Sequence, residues 1–169
     1  DLTQTLKTST RKNLVLLLPF NISKIENDTT SVRNRIRNDK FLNMTLDFYS
    51  GALMAIDSAK VLGLNVDVKI FDSQETKNTS NVASIFNQSN FAGTDLVIGP
   101  FYQSNIEVAA QLLLKDSISI ISPLSKETAA VLPNVIQTIP SERYMKDKIF
   151  EFMKTDTTNV IGVIDTKKV

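Results

Sequence analysis

The chain has 169 residues, of which 42% are hydrophobic and 22% are charged, with 19 Lys and Arg against 18 Asp and Glu. These values are typical of a soluble globular protein and unlike those of disordered, collagen-like or coiled-coil chains. The length fits one domain, or one domain and part of a second. The chain has no Cys and no His. Their absence excludes a disulfide framework, a thiolate zinc site and every Ser-His or Cys-His catalytic arrangement.

The positive charge gathers early in the chain, where Arg33, Arg35, Arg37 and Lys40 lie among polar residues. No aromatic residue interleaves with them, and residues 41–130 carry an acidic excess, with nine Asp or Glu against five Lys or Arg. A nucleic-acid surface needs a basic patch, usually with aromatic residues that stack on bases. We therefore interpret this cluster as a solvated loop, and we expect no nucleic-acid partner.

No apolar run approaches the roughly 18 residues that a membrane-spanning helix needs. Residues 1–10 have neither the basic start nor the apolar segment of a signal peptide. A mature exported protein that has lost its leader fits this pattern, as do a cytosolic protein and a fragment.

The first two predicted elements are a strand and a long helix. Residues 13–20 form a short, continuous apolar run, which is typical of a strand buried on both faces. Residues 21–40 are polar and predict a long loop. Residues 41–64 carry apolar side chains at helical spacing, and Asn38 or Asp39 is suited to cap the start of that helix.

The remainder of the chain repeats this alternation of strand and helix. Ser104 and Glu107 fit a capping box at the start of one helix, and Ser125 is suited to cap a short helix that ends before Pro133. Strands are predicted at 66–72, 95–99, 117–122, 134–139 and 159–165, and helices at 79–91, 104–115 and 142–154.

Strands that alternate with crossover helices pair in parallel. The sequence therefore predicts an α/β fold with a doubly wound parallel sheet. In such sheets ligands bind beyond the carboxyl ends of the strands, where the strand order reverses. The search for a functional site accordingly narrows to four loops, at 19–21, 72–75, 100–104 and 123–125.

Several kinds of chemistry lack their sequence signals. The five Gly build no G-x-G-x-x-G turn and no P-loop, and there is no G-x-S-x-G elbow. Asp72 and Glu75 follow the second strand and are of a type that holds a hard cation, but two carboxylates on one loop are more often turn residues. We therefore expect no metal and no cofactor.

The segment DLVIGPFYQSNIEVAAQLLLKDSISIISPLS, at 95–125, resembles the amino-terminal lobe of type I periplasmic binding proteins, the Leu/Ile/Val-binding class of transporter receptors. FYSGALMAIDSAKVLGLNVDVKIFDSQ is similar to that family's first helix and second strand, in the same order and spacing. The resemblance implies a Rossmann-like lobe at 13–140 after a tail at 1–12, with 141–169 as the crossover helix and strand that begin a truncated second lobe. It also implies a protein without enzymatic activity.

The family's two lobes close on an amino-acid-like ligand by hinge bending, and the first lobe holds it through the loops after its third and fourth strands. Carried over, the resemblance implies that Ser104, Gln103 and Tyr102 meet the ligand's carboxylate and side chain. It implies hydrogen bonds from Leu124 and Ser125. Phe20 and Phe101 would supply an apolar wall. Both serines are equally well explained as helix caps without any ligand role.

Three functions stay open from the sequence. The first is an exported ligand-binding lobe in the periplasm or cell envelope, acting with a membrane transporter on a small polar ligand. The second is an interaction module of the envelope or cell wall that keeps the fold without the ligand. The third is a small enzyme that uses Asp72, Glu75 or Ser104. Because residues 141–169 carry apolar faces without a sheet to cover them, we also expect truncation, self-association through this tail or its return to the first sheet.

Overall fold

The structure, a computed structural model, describes residues 11–26, 32–127 and 132–155. Within these ranges the strands are β1 (Lys12–Leu18), β2 (Val66–Asp72), β3 (Leu96–Ile98), β4 (Ser119–Ser122) and β5 (Val135–Gln137). The helices are α1 (Ile22–Glu26), α2 (Val32–Asn38), α3 (Lys40–Val61), α4 (Val82–Gln88), α5 (Gln103–Leu114) and α6 (Glu142–Lys154).

The five strands form one sheet in the order β2-β1-β3-β4-β5, and every pairing is parallel. The chain first builds outward from β1 to β2 and then resumes on the other side of β1 with β3. The strand order therefore reverses between β1 and β3, and the carboxyl ends of these strands form the rim where a doubly wound sheet offers a crevice. The predicted fold class is confirmed.

Helices cover both faces of the sheet, as the apolar run of β1 predicts. Val15 and Leu17 pack on one face with α4 and α5, whereas Leu16 and Leu18 pack on the other face beneath α3. All four side chains are almost fully buried, because successive residues of a strand point to opposite sides. The core is therefore fixed on β1, and the loop that follows β1 is held at the rim.

The long helix α3 begins where the sequence predicts. The Asp39 carboxylate accepts hydrogen bonds from the backbone N–H groups of Phe41 and Leu42, at 3.1 and 3.0 Å, so Asp39 is the cap. The prediction of a loop over 21–40 was wrong in part, because α1 and α2 lie within it. Helices of five and seven residues are too short to give a clear periodic signal.

The last described helix, α6, matches its predicted bounds of 142–154 and is capped by Ser141, whose Oγ accepts from the backbone N–H of Tyr144 at 3.3 Å. None of its side chains is buried. The strand predicted at 159–165 lies outside the described residues, as does most of the helix predicted after Ser125. The division into lobes and the association of the tail stay predictions. No helix in the described ranges combines the length and apolarity required to cross a bilayer.

Candidate functional site

The turns after β3 and β4 lie side by side at the carboxyl rim of the sheet. Ile98 is opposite Ile121 in the parallel register, and the backbone N–H of Gly99 donates to the carbonyl of Ile121 at 3.0 Å. The Gly99-Pro100 and Ser122-Pro123 turns therefore leave adjacent strands at the same level. The two loops that the sequence singles out are neighbours in space.

Gly99 is the residue that allows β3 to end at this point. Its φ is +87°, and a Cβ atom at this position would collide with the carbonyl oxygen of Leu17 on the adjacent β1. Only glycine adopts this conformation without strain and leaves room for the neighbouring backbone. The peptide bond between Gly99 and Pro100 is cis, and the chain turns from there into α5.

The start of α5 is held by a buried carboxylate, Glu75, which is 1% exposed. Its Oε1 accepts from the Ser73 hydroxyl at 2.7 Å and from the backbone N–H of Phe101 at 3.0 Å. Its Oε2 accepts from the backbone N–H of Tyr102 at 2.9 Å and from the Asn105 side chain at 3.0 Å. Glu75 thus binds the backbone N–H groups of the cap residue Tyr102 and of Phe101 before it, and its negative charge lies beside the positive end of α5.

This arrangement corrects one prediction about Ser104. The cap residue of α5 is Tyr102, without a side-chain cap bond, and Ser104 lies in the first turn with its side chain exposed. The capping box with Glu107 was therefore wrong. Glu75 supplies the negative charge instead, from a loop that precedes the helix by more than 25 residues, and no local spacing rule links the two.

A groove of about 340 Å³ opens beside these turns, and we call it the rim groove. It contains five of the seven residues that the family resemblance implicates. Ser104 and Phe20 do not line it. The lining residues are Phe41, Met44, Phe101, Tyr102, Gln103, Leu124, Ser125, Lys126 and Glu127.

Two polar side chains in the rim groove are nearly buried and keep hydrogen-bonding capacity. The Gln103 side-chain NH₂ donates to the Glu107 carboxylate at 3.3 Å, while its Oε1 has no partner among the described residues. The Ser125 Oγ accepts from the backbone N–H of Glu127 at 3.2 Å, which leaves the hydroxyl proton for another acceptor. Gln103 is 5% exposed and Ser125 is 8% exposed.

The apolar wall of the rim groove is aromatic. Phe41, at the start of α3, stacks on Tyr102 with ring centroids 5.5 Å apart, and it meets Phe101 edge to face at 6.4 Å. Phe48 also meets Phe101 edge to face, with ring centroids 5.2 Å apart. Phe41 is a lining residue that the sequence analysis did not identify, because it lies on α3, far along the chain from the two loops.

Phe20 lies in a different place from the other predicted residues. Its ring meets that of Tyr49 edge to face at 5.5 Å, and both line an apolar cavity below α1 and α2. A smaller cavity of about 250 Å³ is lined by both Phe20 and Tyr102. This is the cavity that Phe20 has in common with a residue of the rim groove.

The carboxylates that the sequence raised as metal ligands both hold backbone segments. Asp72 accepts from the backbone N–H groups of Asn21, Ile22 and Gln74, at 2.9, 2.8 and 3.1 Å. Glu75 is fully engaged as described above. Across 11–26, 32–127 and 132–155, no group of three or more acidic residues is placed to hold a metal ion.

Comparison with known proteins shows the fold. Two solved structures of ABC transporter substrate-binding proteins from Desulfitobacterium hafniense, one of them in complex with Leu, superpose with TM-scores of 0.58 and 0.59 at 15% sequence identity. Each covers 86% of this chain, whereas the chain spans 39% of either structure. No protein-family model matches the sequence, and the search of curated proteins finds no match. The described residues thus have the fold of a single lobe of such a binding protein.

Proposed function

We propose that this chain is a non-enzymatic, extracytoplasmic ligand-binding lobe that holds a small polar ligand in the rim groove. The observation that carries the proposal is the groove itself, in which the turns after β3 and β4 bring Ser125 and Gln103 together against an aromatic wall. A concave, mostly apolar site with a few convergent polar groups is typical of small-molecule recognition. The likeness in fold to substrate-binding proteins supports the same function.

The chemistry of the groove favours an amino-acid-like ligand. The Ser125 hydroxyl and the Lys126 ammonium are donors suited to a carboxylate. The Gln103 oxygen, which is buried in the structure, would suit an amine once its side chain rotates into the groove. The α5 helix start contributes little to binding an anion, because the negative charge of Glu75, held beside it at Phe101 and Tyr102, opposes a second anion there. Recognition of the ligand's charge is therefore assigned to the loop after β4.

Delivery of the ligand would depend on a second lobe that closes over the rim, and on a membrane transporter that accepts the closed form. Because the chain spans only 39% of the similar structures, the second lobe and the transporter are proposed and not observed. A periplasmic or envelope location belongs to the same proposal. An enzyme would need the Asp72 or Glu75 carboxylate available for its substrate. Both carboxylates instead accept hydrogen bonds from backbone N–H groups.

The proposal is tested by a thermal-shift panel of amino acids and short polar metabolites on the complete gene product, followed by titration of the best ligand. A bound ligand raises the melting temperature by mass action. Ser125→Ala is expected to weaken binding about fivefold to tenfold, the effect of one lost hydrogen bond.

Ser104→Ala is the matched control, because its hydroxyl is exposed and does not line the groove. Equal losses in both variants would contradict the assignment of the site. A panel that raises no melting temperature would favour the interaction module over a ligand-binding lobe.

A further inference from the structure

A second cavity, distinct from the rim groove, lies between the short helices α1 and α2, the first half of α3 and the edge strand β2. Its volume is about 400 Å³, within the roughly 300–1,000 Å³ of small-molecule sites. It shares no lining residue with the rim groove. The residues of this apolar cavity are Phe20, Ile22, Ile25, Val32, Ile36, Leu42, Leu46, Tyr49 and Ile70.

The two short helices between β1 and α3 both line this cavity. Ile22 and Ile25 on α1, and Val32 and Ile36 on α2, are three and four residues apart, so each pair lies on one face of its helix. All four line the cavity. Helices this short are not stable alone and depend on whatever their apolar faces pack against.

In the part of the chain that the structure describes, these side chains surround the cavity without filling it. Ile22, Val32 and Ile36 remain 46%, 55% and 42% exposed, and Ile70 on β2 is 40% exposed. The Tyr49 hydroxyl is the one polar side-chain group in the lining. A polar ligand would lose hydrogen bonds to water there, whereas an aliphatic chain would bury its own apolar surface and that of the exposed lining side chains.

Positive charge lies next to the apolar residues of α2. Arg33 and Arg37 directly follow Val32 and Ile36 in the helix, and both are exposed. Lys40 follows at the start of α3. The acidic residue between them, Asp39, turns its carboxylate to the N–H groups of Phe41 and Leu42. Elsewhere on the border two exposed carboxylates, Glu26 and Asp47, follow lining residues, so the cations are concentrated at α2. An anionic head group would therefore be favoured on the α2 side of the cavity.

We propose that the apolar cavity binds an amphipathic anion of the fatty-acid class. The acyl chain occupies the cavity, and the carboxylate lies at Arg33 and Arg37. The charge pattern of the Arg-rich segment alone indicates a solvated loop. In this proposal its arginines bind the carboxylate of the ligand. Because the site is separate from the rim groove, it does not depend on the function proposed there.

The test is calorimetric titration of the full chain with decanoate below its micellar concentration, alongside decanol, which has the same chain without the charge. We expect decanoate to bind at one site per chain and more tightly than decanol at low salt. The double variant R33E/R37E is expected to weaken decanoate binding about tenfold without changing decanol binding, and high salt should remove that difference.

A second variant tests the cavity itself. Ile36→Asn is expected to weaken decanoate and decanol binding equally, whereas Val61→Asn, at a residue 87% exposed and outside the cavity, should change neither. The proposal is overturned if decanoate does not bind, if it binds no more tightly than decanol, or if Ile36→Asn leaves the affinity unchanged. Adsorption to anionic vesicles that decanoate does not displace would assign the segment to a membrane surface instead.

Discussion

Carboxylates tie neighbouring segments together at both ends of the sheet, in very different surroundings. At the carboxyl end, Glu75 is buried and binds four neutral donors, three at the start of α5 and the fourth the Ser73 hydroxyl in its own loop. At the amino end, Asp95 accepts from the backbone N–H of Asn13 at 2.8 Å and from the Lys12 ammonium at 3.0 Å. Its side chain is 37% exposed. One carboxylate is thus shielded from solvent, and the other is partly exposed to it.

Because the two carboxylates differ in burial, we expect them to contribute unequally to stability. Water replaces lost partners at the exposed end, whereas at the buried end each donor left without an acceptor keeps its desolvation penalty. Removal of Glu75 therefore has a large expected effect, and removal of Asp95 a small one.

At the carboxyl end of the sheet, the largest loss of stability is expected for Gly99→Ala. The added Cβ collides with the Leu17 carbonyl, and the positive φ is unfavourable for alanine, so we expect stability to fall by about 3 kcal/mol or more. Urea unfolding measures this loss. Gly51→Ala is the control, because Gly51 lies in α3 with no atom within 4 Å of the added Cβ, and alanine there should stabilise the helix by roughly 0.5–1 kcal/mol.

Glu75→Gln isolates the buried carboxylate with little change in shape. The amide keeps one acceptor oxygen and no negative charge, so the N–H groups of Phe101 and Tyr102 lose their charge-assisted bonds, and we expect a loss of about 2–3 kcal/mol. Glu26→Gln, at an exposed position on α1, should leave the unfolding midpoint unchanged. Similar midpoints for the two variants would contradict the structural role of Glu75.

The smallest effect is expected at the amino end, where the Asn13 N–H and then Lys12 lower the pKa of Asp95 below its ordinary 3.8. Because the folded pKa is the lower one, the stabilisation is fully present above 3.8 and is lost as the pH falls through the folded value. Asp95→Asn should therefore destabilise the protein slightly at neutral pH and not at all in strong acid.

Urea midpoints at both pH values measure this change, with Asp47→Asn on the exposed surface of α3 as control. A difference between wild type and Asp95→Asn that persists in strong acid would show that the charge of Asp95 is not the cause.

The fold and the rim loops could be predicted from the sequence because their signals are local. The apolar run of β1 reports burial on both faces, and the Gly-Pro and Ser-Pro turns mark the ends of adjacent strands. Glu75 could not be assigned from the sequence, since its partners at Phe101, Tyr102 and Asn105 lie in another element. Its position depends on tertiary packing of the loop after β2 against α5.

The short helices α1 and α2 escaped prediction for a different reason. Each offers only two apolar residues on its inner face, which is too few for a helical period to stand out from the polar sequence around it. Their place in the structure depends on Leu42, Leu46 and Tyr49 of α3, which supply the facing apolar surface.

The distribution of tyrosines gives the molecule its own optical labels. The chain has no Trp and three Tyr, so ultraviolet emission comes from those three phenol rings alone. Tyr49 lies in the apolar cavity, Tyr102 lines the rim groove and Tyr144 is on exposed α6. Replacing each by Phe in turn would therefore assign any spectral response to one of three separate places, without a dye and without removing any ring.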